Sequence, residues 1–153
     1  MNPLTIYQQA LDTVSDAVRT DDFASYSAMI DLPYLVQTGR AMLLVSEAEE
    51  LRPTFQALSM GLRARGVTHY ERVARAADYV ARDRIEGRHH THLIRDGERV
   101  APPYSSLHVL VRRGECWLFS EARYDTLTAE RWPLTEDDIF PGADAVSFGS
   151  RAE

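Results

Sequence analysis

YSSLHVLVRRGECWLFSEARY, residues 104–124, decides how the rest of this chain is read. Two alternating runs rich in β-branched and aromatic residues flank Gly114-Glu115, which marks a hairpin between strands 104–113 and 116–124. A two-residue turn would pair Arg112 with Trp117, Leu110 with Phe119, His108 with Glu121 and Ser106 with Arg123. Strand side chains alternate between faces. One face then carries Ser106, His108, Leu110, Trp117, Phe119, Glu121 and Arg123. The other carries Leu107, Val109, Val111, Leu118, Ser120 and Ala122. A sheet that is apolar on both faces needs two covers.

Two further strands precede this hairpin, at about 67–80 and 84–95, with turns at Asp83-Arg84 and Asp96-Gly97. Pro102-Pro103 delays the third strand and lengthens its connection. All five histidines (His69, His89, His90, His92 and His108) fall within 67–124. Upstream, Leu4, Tyr7, Leu11, Val14 and Val18 recur at helical spacing and predict a helix over 3–19. Thr20-Asp21-Asp22 caps a short second helix at roughly 21–29, with Phe23, Tyr26 and Ile30 inward. Asp31-Leu32-Pro33 stops that helix. Residues 34–38 and 42–45, flanking Gly39-Arg40, read as a hairpin. Ser46-Glu47-Ala48-Glu49 reads as a capping box for a third helix reaching about Arg65. Pro53 restarts that helix, Phe55, Leu58 and Leu62 form its buried stripe, and Gly66 is its C′ residue. The tail from Arg131 is acidic and irregular, with one helical turn expected at 136–139.

A length of 153 residues suits one domain. The core spans 3–124, and 125–153 form a tail. A net charge of −6 argues against nucleic acid as a partner. No apolar run approaches the roughly 20 residues of a membrane span, and no secretory signal is visible at residues 1–7. All 17 basic residues are arginine, which excludes lysine Schiff-base and P-loop chemistry. Cys116 is the sole cysteine, so an internal disulfide and a multi-thiolate metal site are excluded. A single thiol fits a reducing cytoplasm. A bacterial-type cytoplasmic protein is expected.

The element order resembles the nuclear-transport-factor-2-like (NTF2-like, SnoaL-like, cystatin-like) superfamily over residues 3–124. The local matches are Thr20-Asp21-Asp22-Phe23, Val45-Ser46-Glu47-Ala48-Glu49-Glu50-Leu51, and Gly114-Glu115-Cys116-Trp117-Leu118-Phe119. The resemblance implies an α+β fold, cone-shaped, with three N-terminal helices packed on a strongly curved antiparallel sheet. It also implies that the Trp117 face meets the helices and the opposite face meets a second subunit. Family members include isomerases, cyclases, dehydratases, hydrolases and proteins without chemistry, so the fold does not choose a function. By spacing, the tyrosine of the ketosteroid isomerases falls at Val14 and their aspartate base at Gln37-Thr38. Neither position can do that work.

The expected pocket lies between helices and sheet, with Tyr26, Tyr34, Phe55, Leu110, Trp117, Phe119 and Arg123 as its walls. His108 and Glu121 would be its acid/base pair, a carboxylate orienting one ring nitrogen of the imidazole. A buried pair that merely satisfies itself, or an interfacial contact, fits the same pattern. His90 and His92 share a strand face and invite a metal, yet lack a third ligand; no metal and no cofactor are expected. Arg72, Arg75, Arg82, Arg84, Arg88 and the acids of 78–83 read as a solvated edge. The function expected is binding of a small, largely apolar molecule, with cofactor-free isomerase, cyclase or hydratase chemistry by proton transfer. The alternative is a non-catalytic ligand sensor or interaction module. The outer row of Leu107, Val109, Val111, Leu118, Ser120 and Ala122 predicts a homodimer, with the tail as a competing cover.

Overall fold

The computed structural model describes residues 1–39 and 41–124, and the backbone of 146–147. Arg40 in the expected hairpin turn, and the expected helical turn at 136–139, lie outside the described residues. The architecture is α+β. Helix α1 (Pro3–Arg19) is followed by α2 (Phe23–Ala28), strands β1 (Ile30–Thr38) and β2 (Ala41–Val45), and a 3-10 turn (Ala48–Leu51) leading into α3 (Arg52–Ala64). Strands β3 (His69–Ala81), β4 (Arg84–Arg95), β5 (Glu98–Arg99), β6 (Tyr104–Arg113), β7 (Cys116–Tyr124) and β8 (Val146–Ser147) complete it. The sheet order is β3-β4-β6-β7-β1-β2-β8, with β5 pairing β4. No helix among the described residues is long and apolar enough to cross a membrane.

Local chemistry explains the boundaries. Asn2 caps α1 by accepting from Leu4 N–H at 2.7 Å, with Pro3 in the first turn. Asp22 caps α2 through Ser25 N–H at 3.1 Å. The capping box before α3 sits one residue later than the sequence suggests, because Glu50 rather than Glu49 accepts the amides of Ser46 and Glu47. Gly66 ends α3 at φ +66°. Its N–H reaches Arg63 O and the Val67 N–H reaches Leu62 O, both at 3.0 Å, which satisfies the last carbonyls.

Helix α1 packs against one face of the sheet. Ile6, Tyr7, Ala10, Leu11, Val14 and Val18 of α1 join Phe55 and Leu62 of α3, Ile85 and Leu93 of β4, and Leu110 and Phe119 of the 104–124 hairpin in one core. Ser59 Oγ donates to Val18 O at 2.9 Å and ties α3 to the end of α1. The Gln8 side chain takes the Ala74 N–H (2.7 Å) and donates to Arg72 O (2.8 Å), clipping α1 to β3 beside an irregularity in the β3–β4 register.

Several features of the sheet were not read from the sequence: β5 and β8 were not expected, and β1 begins at Ile30, where a helix end was expected. Strand β1 pairs with β7 in parallel, so the first hairpin extends the meander beyond its last strand. The β6–β7 hairpin also carries a bulge. Arg112↔Trp117 and Leu110↔Phe119 pair as expected, but Val109 then pairs with Glu121, His108 with Ala122 and Leu107 with Arg123. Ser120 is the extra residue, and every side chain after it changes face.

Candidate functional site

The bulge rebuilds the expected site. His108 and Glu121 are not a cross-strand pair. Glu121 turns to the outer face, where it accepts from Arg123 Nε and from Gln37 Nε2 (3.2 Å) and lies 3.7 Å from Arg84. Arg123 goes with it, so neither residue faces the helices. Ala122 and Tyr124 take their places inside, Ala122 in the core and Tyr124 on the cavity wall.

A cavity of about 50 Å³ lies between helices and sheet. On its helix side stand Val14 and Val18 from α1, Tyr26 from α2, and Thr54, Phe55 and Leu58 from α3. Phe55 touches Phe23 and Tyr26 at ring-centroid distances of 5.4 and 5.0 Å, an aromatic wall. The sheet side is polar. Arg72 with Tyr70, His89 with Thr91, and Ser106 with His108 each share one face of a strand. Ile30, Tyr34, Tyr104, Phe119 and Tyr124 complete that side. Four of the seven expected wall residues therefore line the cavity: Tyr26, Tyr34, Phe55 and Phe119. Leu110 is buried in the core without lining it. Trp117 is on the helix side but elsewhere, 6.0 Å from Tyr79, and lines a separate cleft with Met1 and Ile6.

A run of rings leads from the core to the cavity, where His89, His108, Phe119 and Tyr124 line it. Tyr7 lies flat over Gly87, whose missing side chain makes the approach possible: a Cβ there would sit 2.5 Å from the Tyr7 ring. From that position the Tyr7 hydroxyl shares a 2.6 Å hydrogen bond with His89 Nδ1. With the phenol donating, the His89 proton resides on Nε2. His89 meets His108 edge-on at 4.9 Å, and His108 meets Phe119 and Tyr124 edge-on at 5.3 and 5.8 Å. Burial holds both imidazoles well below the usual histidine range; Arg72 adds to this in both, and His108 adds further in His89. Burial pushes the phenols up, Tyr26 to about 12 and Tyr7, Tyr34 and Tyr124 further. At neutral pH these groups are uncharged.

Among the described residues, four buried polar atoms have no hydrogen-bond partner: Arg72 Nη2, Ser106 Oγ, and both ring nitrogens of His108. All belong to cavity-lining residues. Native interiors rarely leave such groups unsatisfied, and an unmade bond in a buried site costs about 1–3 kcal/mol. On the outer face His90 and His92 stand 6.5 Å apart, and His92 Nδ1 lies 3.2 Å from Arg99. No group of three or more His, Cys, Asp or Glu side chains suited to a metal gathers among the described residues.

The fold resembles known structures. An NTF2-like protein of unknown function from Shewanella oneidensis superposes with a TM-score of 0.60 at 10% identity, covering 80% of this chain and 98% of that one. A cystatin-like-fold protein of unknown function from Nostoc punctiforme gives 0.60 at 12%, covering 79% and 88%. A ketosteroid isomerase-like protein from Erwinia carotovora atroseptica gives 0.58 at 14%, covering 80% and 94%. The chain has the NTF2-like fold. At these identities the likeness concerns the fold alone. No family model matches the sequence, and no curated protein matches it.

Within the NTF2-like frame, Val14 does line the cavity, where it offers no hydrogen bond. Gln37 points outward to Glu121, and Thr38 accepts the Ala41 N–H. Sequence reading missed Arg72 and His89. A period-two row was visible for each. Tyr70-Arg72-Ala74 alternates against Glu71-Val73-Arg75, and Ile85-Gly87-His89-Thr91-Leu93 alternates against Glu86-Arg88-His90-His92. In both cases the apolar members mark the inner face.

Proposed function

We propose that this NTF2-like protein is a cone of three helices on a curved sheet that binds a small molecule in the cavity around His108. The observation that carries this reading is the convergence of four unpartnered buried polar atoms on one cavity. The reaction class that fits is cofactor-free proton transfer, of the isomerase, cyclase or hydratase kind. His108 is its acid/base group, held by edge-on rings rather than by a carboxylate. A low-lying imidazole is a weak base until a ligand's charge offsets Arg72, which couples binding to proton affinity. Among the described residues no carboxylate orients His108, which favours the second reading, a ligand sensor without chemistry.

Binding is tested by mass spectrometry of small molecules released from natively purified protein. The wild type should retain a compound that Val14→Phe, which fills the cavity, does not. Equal recovery from both proteins would place the ligand elsewhere, and recovery from neither would remove the binding reading. Where turnover is found, His108→Ala should reduce it by about 10²–10⁴-fold; full activity would remove His108 as the acid/base group.

The same proposal includes a twofold dimer through the outer sheet face. Leu107, Val111 and Leu118 are only partly covered there. Ala122 has left that face, and Val109 is already fully buried within one chain. Leu107→Asp is therefore the informative variant. Light scattering should give twice the 17.3 kDa chain mass for the wild type and the single mass for Leu107→Asp. A wild-type monomer at micromolar concentration would end this part.

A further inference from the structure

We infer that the molecule bound in this cavity is a small monocarboxylate, with its negative charge held by Arg72. This deepens the proposed binding role of the same site and rests on it. Arg72 is 7% exposed, and a guanidinium stays protonated at any pH at which a protein folds. Its Nε donates to Ser15 Oγ at 2.9 Å, its plane lies 5.5 Å from the Tyr70 ring centre, and its Nη2 has no partner. Among the described residues, no aspartate or glutamate lines the cavity, and none forms an ion pair with Arg72.

The titratable groups around Arg72 do not supply the missing charge. Tyr7 on α1, Tyr26 on α2 and Tyr124 on β7 are phenols pushed up by burial, and Tyr70 on β3 and Tyr104 on β6 are phenols too. His89 on β4 and His108 on β6 are imidazoles pushed down by it. The cavity thus carries one positive charge and no counter-charge. A buried cation without its partner is strongly unfavourable, whereas a hydrogen-bonded ion pair offsets the desolvation. One negative charge balances it, and a dianion would leave a second charge buried and unmatched. The open donors suit a carboxylate: Nη2 of Arg72, the Ser106 hydroxyl and an imidazole N–H of His108 can each meet an oxygen lone pair. A volume of about 50 Å³ has room for about three to five waters, which limits the acid to a few non-hydrogen atoms.

The test is a titration of the ¹⁵N-labelled full chain at pH 7.5 and constant ionic strength with propionate, propionamide or inorganic phosphate. Binding is followed at the amides of Arg72, Ser106 and His108. Propionate should bind at least about 30-fold more tightly than the isosteric propionamide, and Arg72→Met should bring the two within about threefold. The wild-type comparison of acid and amide stands alone should Arg72→Met fail to fold. Equal affinity for propionate and propionamide would overturn the charge assignment while leaving a ligand cavity in place. Phosphate binding more tightly than propionate would overturn the monoanion. Absence of binding by all three would overturn both this inference and the cavity reading beneath it.

Discussion

Gly87→Ala will lower the melting temperature by about 5–10 °C, from about 2–3 kcal/mol of overpacking in a chain of this size. The cause is local. A Cβ at this position would sit 2.5 Å from both Cε1 and Cζ of Tyr7 and 2.6 Å from Cδ1, a rigid ring rather than the tip of a flexible chain. Tyr7 is fully buried and cannot step aside without losing its 2.6 Å bond to His89. The loss therefore reaches the cavity wall as well as the core. Tyr7→Leu removes the obstacle, so adding Gly87→Ala to that variant should cost far less than adding it to the wild type. A thermal melt of the four proteins measures this coupling. Gly87→Ala melting within about 2 °C of the wild type would show that Tyr7 does not rest on Gly87.

Stability should fall by a few kcal/mol between pH 7.5 and 5.5, on the order of 1 kcal/mol from each of His89 and His108. Both imidazoles are held well below their usual range, first by burial and then by neighbouring positive groups, Arg72 in both cases. In the unfolded chain each protonates near pH 6.5. The sign follows. Above about 6.5 neither state binds the proton and the folded state keeps its full stability. Below it the unfolded chain takes up protons that the folded chain refuses, and stability drains away as the pH approaches the depressed folded values. Urea unfolding across this window should report uptake of about two protons, and His108→Phe should report about one. That variant also removes two unpartnered nitrogens. A stability unchanged over the window would mean that the two imidazoles are not buried as described. A bound monoanion beside Arg72 would lift both imidazoles and flatten the profile.

Most of the fold was legible in the residues taken singly. Helix α1 begins and ends where its apolar period and its cap require. Strands β4, β6 and β7 have the boundaries that alternation and turn residues imply, and Gly66 closes α3 as a C′ glycine should. These are local matters of dihedral preference, capping and side-chain period, and a sequence states them directly. The inner position of His108 was legible for the same reason, since Leu110 and Phe119 mark its face.

Long-range matters decided the rest. Nothing in the local sequence announces that Ser120 is an extra residue. The bulge follows from how β7 pairs with β6 on one side and, in parallel, with β1 on the other, where the register also shifts between Ile30 and Leu35. One residue of slip moved Glu121 and Arg123 out of the expected pocket and put Ala122 and Tyr124 inside, because the side-chain period of a strand is two. Arg72 reads as part of a charged edge because arginines surround it in sequence. Its burial depends on α1 crossing β3, where Ser15 supplies a hydrogen-bond partner for its Nε. The sequence by itself determined the main helices and strands and the inner position of His108. Only the packing of α1 and the register of β7 decided which polar groups share the cavity, because those depend on contacts between residues 57 to 84 positions apart.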